Sequence, residues 1–178
     1  MTWTTFHRRA DVLRAVITTA DRRRDGRLPM DVEGVAETFG DELSLLATLQ
    51  LKWHTRLAGR IENVMAAQPE DLGGAVEQAW REIALEMPGV RALLDHYRAE
   101  PLDDAMASAM ARATQKEHMM LATMAGRSSV GDTSAAPVGA ALEERARAAL
   151  LAAQGVVTLS SERRSPSLLQ RLKAVVAA

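Results

Sequence analysis

From Leu43 to Met65 an apolar side chain returns every three or four residues: Leu43, Leu46, Trp53, Leu57, Ile61, then Val64 or Met65, with Gln50 as the polar member of the row. That spacing puts one stripe along one face of an α-helix, and it is incompatible with the strict alternation of a half-buried strand. Leu45, Leu49 and Leu51 widen the stripe in its first half. A helix with so broad an apolar face has to be covered by more than one neighbour, so the chain must supply further helices.

The same rhythm recurs on both sides. Residues 3–23 carry Trp3, Phe6, Ala10, Leu13, Ile17 and Ala20 on one face, with Thr2 placed to cap. Asp25, Gly26 and Pro29 mark a turn. Asp31 then reads as the cap of a helix over 31–39 whose inner face is Val32, Val35 and Phe39. Gly40-Asp41 stops it and starts the long helix. Pro69-Glu70-Asp71 opens another, with Leu72, Val76, Trp80, Ile83 and Met87 inward. Pro88-Gly89 breaks it, and a shorter helix carries Val90, Leu93, Leu94 and Tyr97. Pro101, backed by Asp103 and Asp104, opens a methionine-rich helix with Leu102, Met106, Ala109, Ala113, Met120 and Met124 on its inner face.

Residues 126–137 are small, polar and broken by glycine, the composition of a flexible linker. An alanine-rich helix over about 138–153 follows, with Val138, Leu142, Ala146, Ala149 and Leu150. Gly155 is expected to end it, leaving Val156–Leu159 able to extend, before a last helix over 166–177. The expected fold is therefore all-α: an antiparallel bundle of about five to six helices in residues 1–125, a linker at 126–137, and a C-terminal helical extension at 138–178. The extension is too small to bury its own face, so it packs on the bundle or on a partner subunit.

The 178 residues contain no cysteine, which removes disulfides, thiol catalysis and thiolate metal sites from consideration. No run of about 18 apolar residues reads as a membrane span. No secretory h-region follows Met1, so a cytoplasmic location is the expectation. The formal charge of −1 is unevenly spread: seven arginines against three aspartates in 1–27, eight basic against sixteen acidic residues in 28–125, seven basic against four acidic in 126–178. An acidic middle disfavours general nucleic-acid binding. The basic ends leave that class open as an alternative, through Arg8, Arg9, Arg22, Arg23, Arg24 and Arg27. A helix-turn-helix at 31–39 and 41–50 is disfavoured, because its second helix opens with Asp41-Glu42 and is apolar thereafter.

There are four histidines. His54 lies on the long helix with Glu62 two turns on, and Glu117-His118 lie on the methionine-rich helix. Convergence of His54, Glu62, Glu117 and His118 would offer imidazole and carboxylate to iron, manganese or zinc. The Glu-x-x-His spacing of a di-iron bundle is missing, since Glu117 and His118 are adjacent and Leu51 stands three residues before His54. His118 beside Met119, Met120 and Met124 also suggests haem ligation, although methionine in helices more simply fills a core. No phosphate loop, dinucleotide fingerprint, His-Glu-x-x-His or Gly-x-Ser-x-Gly occurs. The composition thus points to a helical interaction or regulatory module, not an enzyme, with no cofactor and with a second copy or another protein as partner. The alternative is a metal- or haem-binding bundle built on His54 and His118.

Overall fold

The computed structural model describes the backbone of residues 3–162 and the side chains of residues 7–154. Within it the chain forms seven α-helices, one 3-10 turn and no strand: α1 Trp3–Arg23, α2 Val35–Phe39, α3 Glu42–Met65, α4 Leu72–Glu86, α5 Pro88–Ala99, α6 Asp104–Met124, the 3-10 turn Thr133–Ala135, and α7 Ala136–Glu162. The all-α bundle read from periodicity is the observed fold.

Three helices start on an aspartate whose carboxylate accepts from the backbone three residues on: Asp41 from Ser44 (2.7 Å), Asp71 from Gly74 (3.0 Å) and Asp103 from Met106 (2.7 Å). Each satisfies one of the amide donors that an α-helix leaves unpaired at its N-terminus. Pro69 and Pro101 therefore stand outside α4 and α6, where the sequence had placed them in the first turn. Pro88 does occupy the first turn, of α5. Asp31 caps nothing. It is drawn to Arg23 by two hydrogen bonds (2.7 and 2.5 Å), and α2 begins four residues later at Val35.

The core is centred on Trp53 of α3 and Trp80 of α4, both fully buried, with ring centroids 5.8 Å apart and planes at 72°. That edge-to-face arrangement sets the positive rim of one indole against the negative face of the other. Leu45, Leu46, Leu49, Leu57 and Ile61 continue the inner face of α3; Val76, Ile83 and Met87 continue that of α4. On the surface Arg56 pairs with Glu86 while Arg60 lies 3.5 Å from Glu82, so α3 and α4 run antiparallel.

Four inner faces differ from the expected ones. On α1 the buried row is Val12, Val16 and Ala20, with Leu13 and Ile17 at its margin. Leu51 does not widen the α3 stripe inward; it is 65% exposed. On α6 the buried row is Met106, Met110, Glu117 and Leu121, while Leu102 is exposed. On α7 Leu142 and Ala146 are buried, whereas Val138 and Ala149 face outward. The helix neither waits for residue 138 nor stops at Gly155: it runs to Glu162, so residues 156–159 are helical and not extended. It packs against α6 and α4 through the stretch that holds Gly139, Leu142, Glu143 and Ala146, while residues 151–154 are exposed. The expected helix at 166–177, and Trp3 and Phe6 as core side chains, lie outside the described residues.

Two glycines permit the closest crossings. A β-carbon on Gly89 of α5 would fall on the backbone of Ala20 and Asp21 in α1, and one on Gly139 of α7 would fall on the carbonyl of His118 in α6. No other residue lets the backbones meet there.

Candidate functional site

Where α5, α6 and α7 meet, the interior is charged. Arg91, Arg98 and Arg147 face Asp95, Glu117 and Glu143. Glu143 accepts from Arg98 (3.1 Å), from Arg147 Nε (3.0 Å) and Nη2 (2.6 Å), and meets His118 Nε2 at 2.6 Å. Arg147 also grips Asp95 with both terminal nitrogens, at 2.9 and 2.6 Å. This fork geometry is the strongest way a guanidinium holds a carboxylate.

Burial by itself would raise the pKa of Glu143. The hydrogen bond to His118 and the guanidiniums of Arg98 and Arg147 more than offset it and hold the carboxyl well below the usual range. Asp95 follows the same pattern: burial raises it, and Arg147 and Arg91 bring it below its ordinary value. With Glu143 ionised, the short contact to His118 requires a proton on His118 Nε2.

Arg91 is only 6% exposed. Its guanidinium carbon lies 4.8 Å from the Trp53 ring centroid and 6.0 Å from that of Trp80, so two indole faces take up part of its charge. Asp95 Oδ1 is 2.8 Å from Nη2 and Glu117 Oε1 is 3.7 Å from Nη1. The first contact is too oblique and the second too long for a hydrogen bond, which leaves Nε, Nη1 and Nη2 without one. Burial consequently lowers the Arg91 pKa, with Glu117 and Asp95 opposing it only in part.

Two concavities border this interior. Between α3 and α6 an open apolar groove of about 280 Å³ is lined by Leu46 and Met110, both buried, and by the more exposed Ala47, Leu51, Ala109 and Ala113; His54 and Lys116 also line it. Between α4, α5 and α7 a cleft of about 430 Å³ reaches down to Arg91, Asp95 and Arg147.

The four residues singled out as metal donors take separate roles. Glu117 is 0% exposed and turns inward to Arg91, with its second oxygen accepting from Gln50 (3.3 Å). His118 turns to Glu143, His54 borders the groove, and Glu62 faces water. Among the described residues no three His, Asp or Glu side chains are grouped to hold a metal ion. The basic cluster is also divided. Arg9 donates to the Thr38 carbonyl (2.8 Å) and covers the Phe39 ring at 4.5 Å, Arg23 holds Asp31, and Arg24 donates to the Asp21 carbonyl (3.0 Å). Arg8, Arg22 and Arg27 are exposed. The residues that form the charged interior carried one signal in the sequence: Arg91/Asp95 and Glu143/Arg147 are opposite charges four apart on apolar helices. No described helix is long and apolar enough to cross a membrane. The chain matches no family model, no curated protein and no solved structure.

Proposed function

We propose that this chain is a non-enzymatic helical interaction module that pairs with a second copy of itself through the α3–α6 groove. The observation that carries the reading is the placement of Leu51, 65% exposed, in the lining of an open apolar groove whose deep residues are Leu46 and Met110. A large apolar side chain in that position is costly in water and is relieved by contact with protein. A two-fold interface requires one patch to be its own complement. This patch holds both parts, a projecting leucine and an apolar recess, so each copy can seat its Leu51 in the other's groove, over Leu46 and Met110 and beside Ala47, Ala109 and Ala113. The buried ion network behind Glu117 keeps α6 in register with α5 and α7, and so keeps the groove's far wall in place.

The test is light scattering across a dilution series on the native chain and on Leu51→Glu. Burying a leucine contributes about 1.5–3 kcal/mol, so removing one from each copy weakens pairing by about a hundredfold or more. The expected result is a concentration-dependent dimer that L51E converts to a monomer of unchanged helicity. A native chain that stays monomeric at every concentration, or a dimer indifferent to L51E, overturns the reading.

A further inference from the structure

Methionine that fills a core leaves no space beside it. Met119, Met120 and Met124, near the end of α6, do the opposite. All three are partly exposed, and with Thr123, Val130 and Gly131 they line an open cavity of about 270 Å³. Met120 and Met124 stand one helical turn apart and back onto the core. Met119, about 100° around the helix from Met120, lines the same cavity without belonging to that core. The opposite wall is the turn that follows α6. Backbone bonds from Gly126 to the Thr123 carbonyl (3.0 Å), from Arg127 to Ala122 (2.9 Å) and from Asp132 to Ser129 (3.2 Å) fix that turn, and the Thr123 and Ser128 hydroxyls meet at 3.2 Å. The cavity is therefore held open by the fold. No carboxylate or imidazole enters its lining, and His118 turns instead to Glu143. What the cavity offers is three thioethers, which are neutral, polarisable donors.

We infer that this cavity binds one soft monovalent cation, Cu(I), through the sulfur atoms of Met119, Met120 and Met124. Thioether sulfur selects Cu(I), whereas magnesium, calcium and manganese need oxygen, and zinc in protein sites is held by thiolate, imidazole or carboxylate. A ligand set without charge also favours a single positive charge over two, because nothing in the lining compensates the second. Each methionine has three rotatable bonds beyond its α-carbon, so the sulfurs can close on an ion without movement of the backbone. The cavity shares no residue with the groove proposed for self-association, so the two stand or fall independently.

Metal titration of the full chain decides it. The probes are Ag(I), a redox-inert soft ion, in chloride-free buffer; Cu(I), kept anaerobic and contested by a chromophoric chelator; and Zn(II) and Mn(II). The native chain is expected to take up one equivalent of Ag(I) and of Cu(I), with a rise in thermal midpoint that grows with free metal. Zn(II) and Mn(II) are expected to bind nowhere in this cavity and to leave the Ag(I) isotherm unchanged. Leucine replaces methionine at nearly constant volume, so the triple variant M119L/M120L/M124L is expected to melt like the native metal-free chain. It is expected to lose the equivalent altogether. Each single leucine is expected to weaken binding by about tenfold or more, since even the outer-shell partners of a bound metal are worth that much. Met30→Leu, a partly buried methionine outside the cavity, is expected to change nothing. Absence of Ag(I) and Cu(I) uptake, undiminished uptake by the triple variant, displacement of Ag(I) by Zn(II), or an equal loss with M30L overturns the inference.

Discussion

Glu143 Oε2 lies 2.6 Å from Nε2 of His118, and the other oxygen of Glu143 accepts from both Arg98 and Arg147. One carboxylate on α7 thereby holds α5 and α6 together. Such a network is poor evidence of net stability, since two charges taken out of water cost nearly what their attraction returns. Removing one partner is different, because the others stay buried and unpaired. Glu143→Gln keeps the size of the side chain and deletes its charge. It is expected to cost about 3–5 kcal/mol, read as a lower urea midpoint with an unchanged slope. A change below about 1 kcal/mol would show that water reaches the site and screens it.

The same carboxylate sets the acid limit of the fold. Its pKa in the folded state is held far below the ordinary 4.5. A depressed carboxylate contributes stability that is fully present above its unfolded pKa and is lost as pH falls toward the folded value. Asp95 and Glu86 are depressed too, the latter by Arg56 and Arg60, and they add slope in the same direction. Thermal midpoints of the native chain are therefore expected to fall steadily below pH 4.5 or so. The gap between the native chain and E143Q should narrow over the same range, because protonation does to Glu143 what the substitution does. A gap that holds constant to the acid end would mean that Glu143 does not titrate with folding.

How much of this was legible differs by element. Trp53 and Trp80 sit amid unambiguous apolar rows, and both are buried as their spacing requires. On α1 two rows compete, Val12–Val16 and Leu13–Ile17, one residue and about 100° apart. Apolarity alone favours the larger pair, while the close crossing at Gly89 turns the smaller valines inward. The charged interior was harder to see. Apart from Asp95 four residues on, nothing in the pattern singles out Arg91, and Glu117 reads as a metal donor beside His118, because spacing alone gives no sign that a buried carboxylate is matched by an arginine on another helix. Glu117 nevertheless stands four residues before Leu121 and seven after Met110, in the buried row itself. Leu51 failed in the opposite sense: it belongs to an apolar run, yet the described chain supplies nothing to cover it.

The glycine crossings separate steric necessity from helix propensity. Gly139→Ala brings a methyl group onto the His118 carbonyl, and backbone cannot yield as a side chain can. Overpacking of this kind costs about 1–3 kcal/mol or more, and here it also pushes α7 from α6, so the His118–Glu143 contact should weaken with it. Gly59 is the counterexample. It lies inside α3 with nothing near the position of an added β-carbon. Gly59→Ala is expected to stabilise by about 0.5–1 kcal/mol through helix propensity alone. Opposite shifts in the thermal midpoint of the two variants check both statements together.

Asp103 and Asp31 test whether an aspartate before a helix acts as a cap or as a partner for a distant cation. Asp103 accepts from the Met106 amide at the partly buried start of α6. Asp103→Ala is expected to cost about 1 kcal/mol, and to cost the same in low and high salt, because a short, local hydrogen bond is scarcely screened. Asp31 instead meets Arg23 in the open, where ions compete for both charges. Asp31→Ala is expected to shift the urea midpoint slightly in dilute buffer and not at all in molar salt. A salt-independent loss at Asp31 would instead make it the anchor of the 29–34 turn. The entry into α2 would then depend on that residue more than its exposed pairing implies.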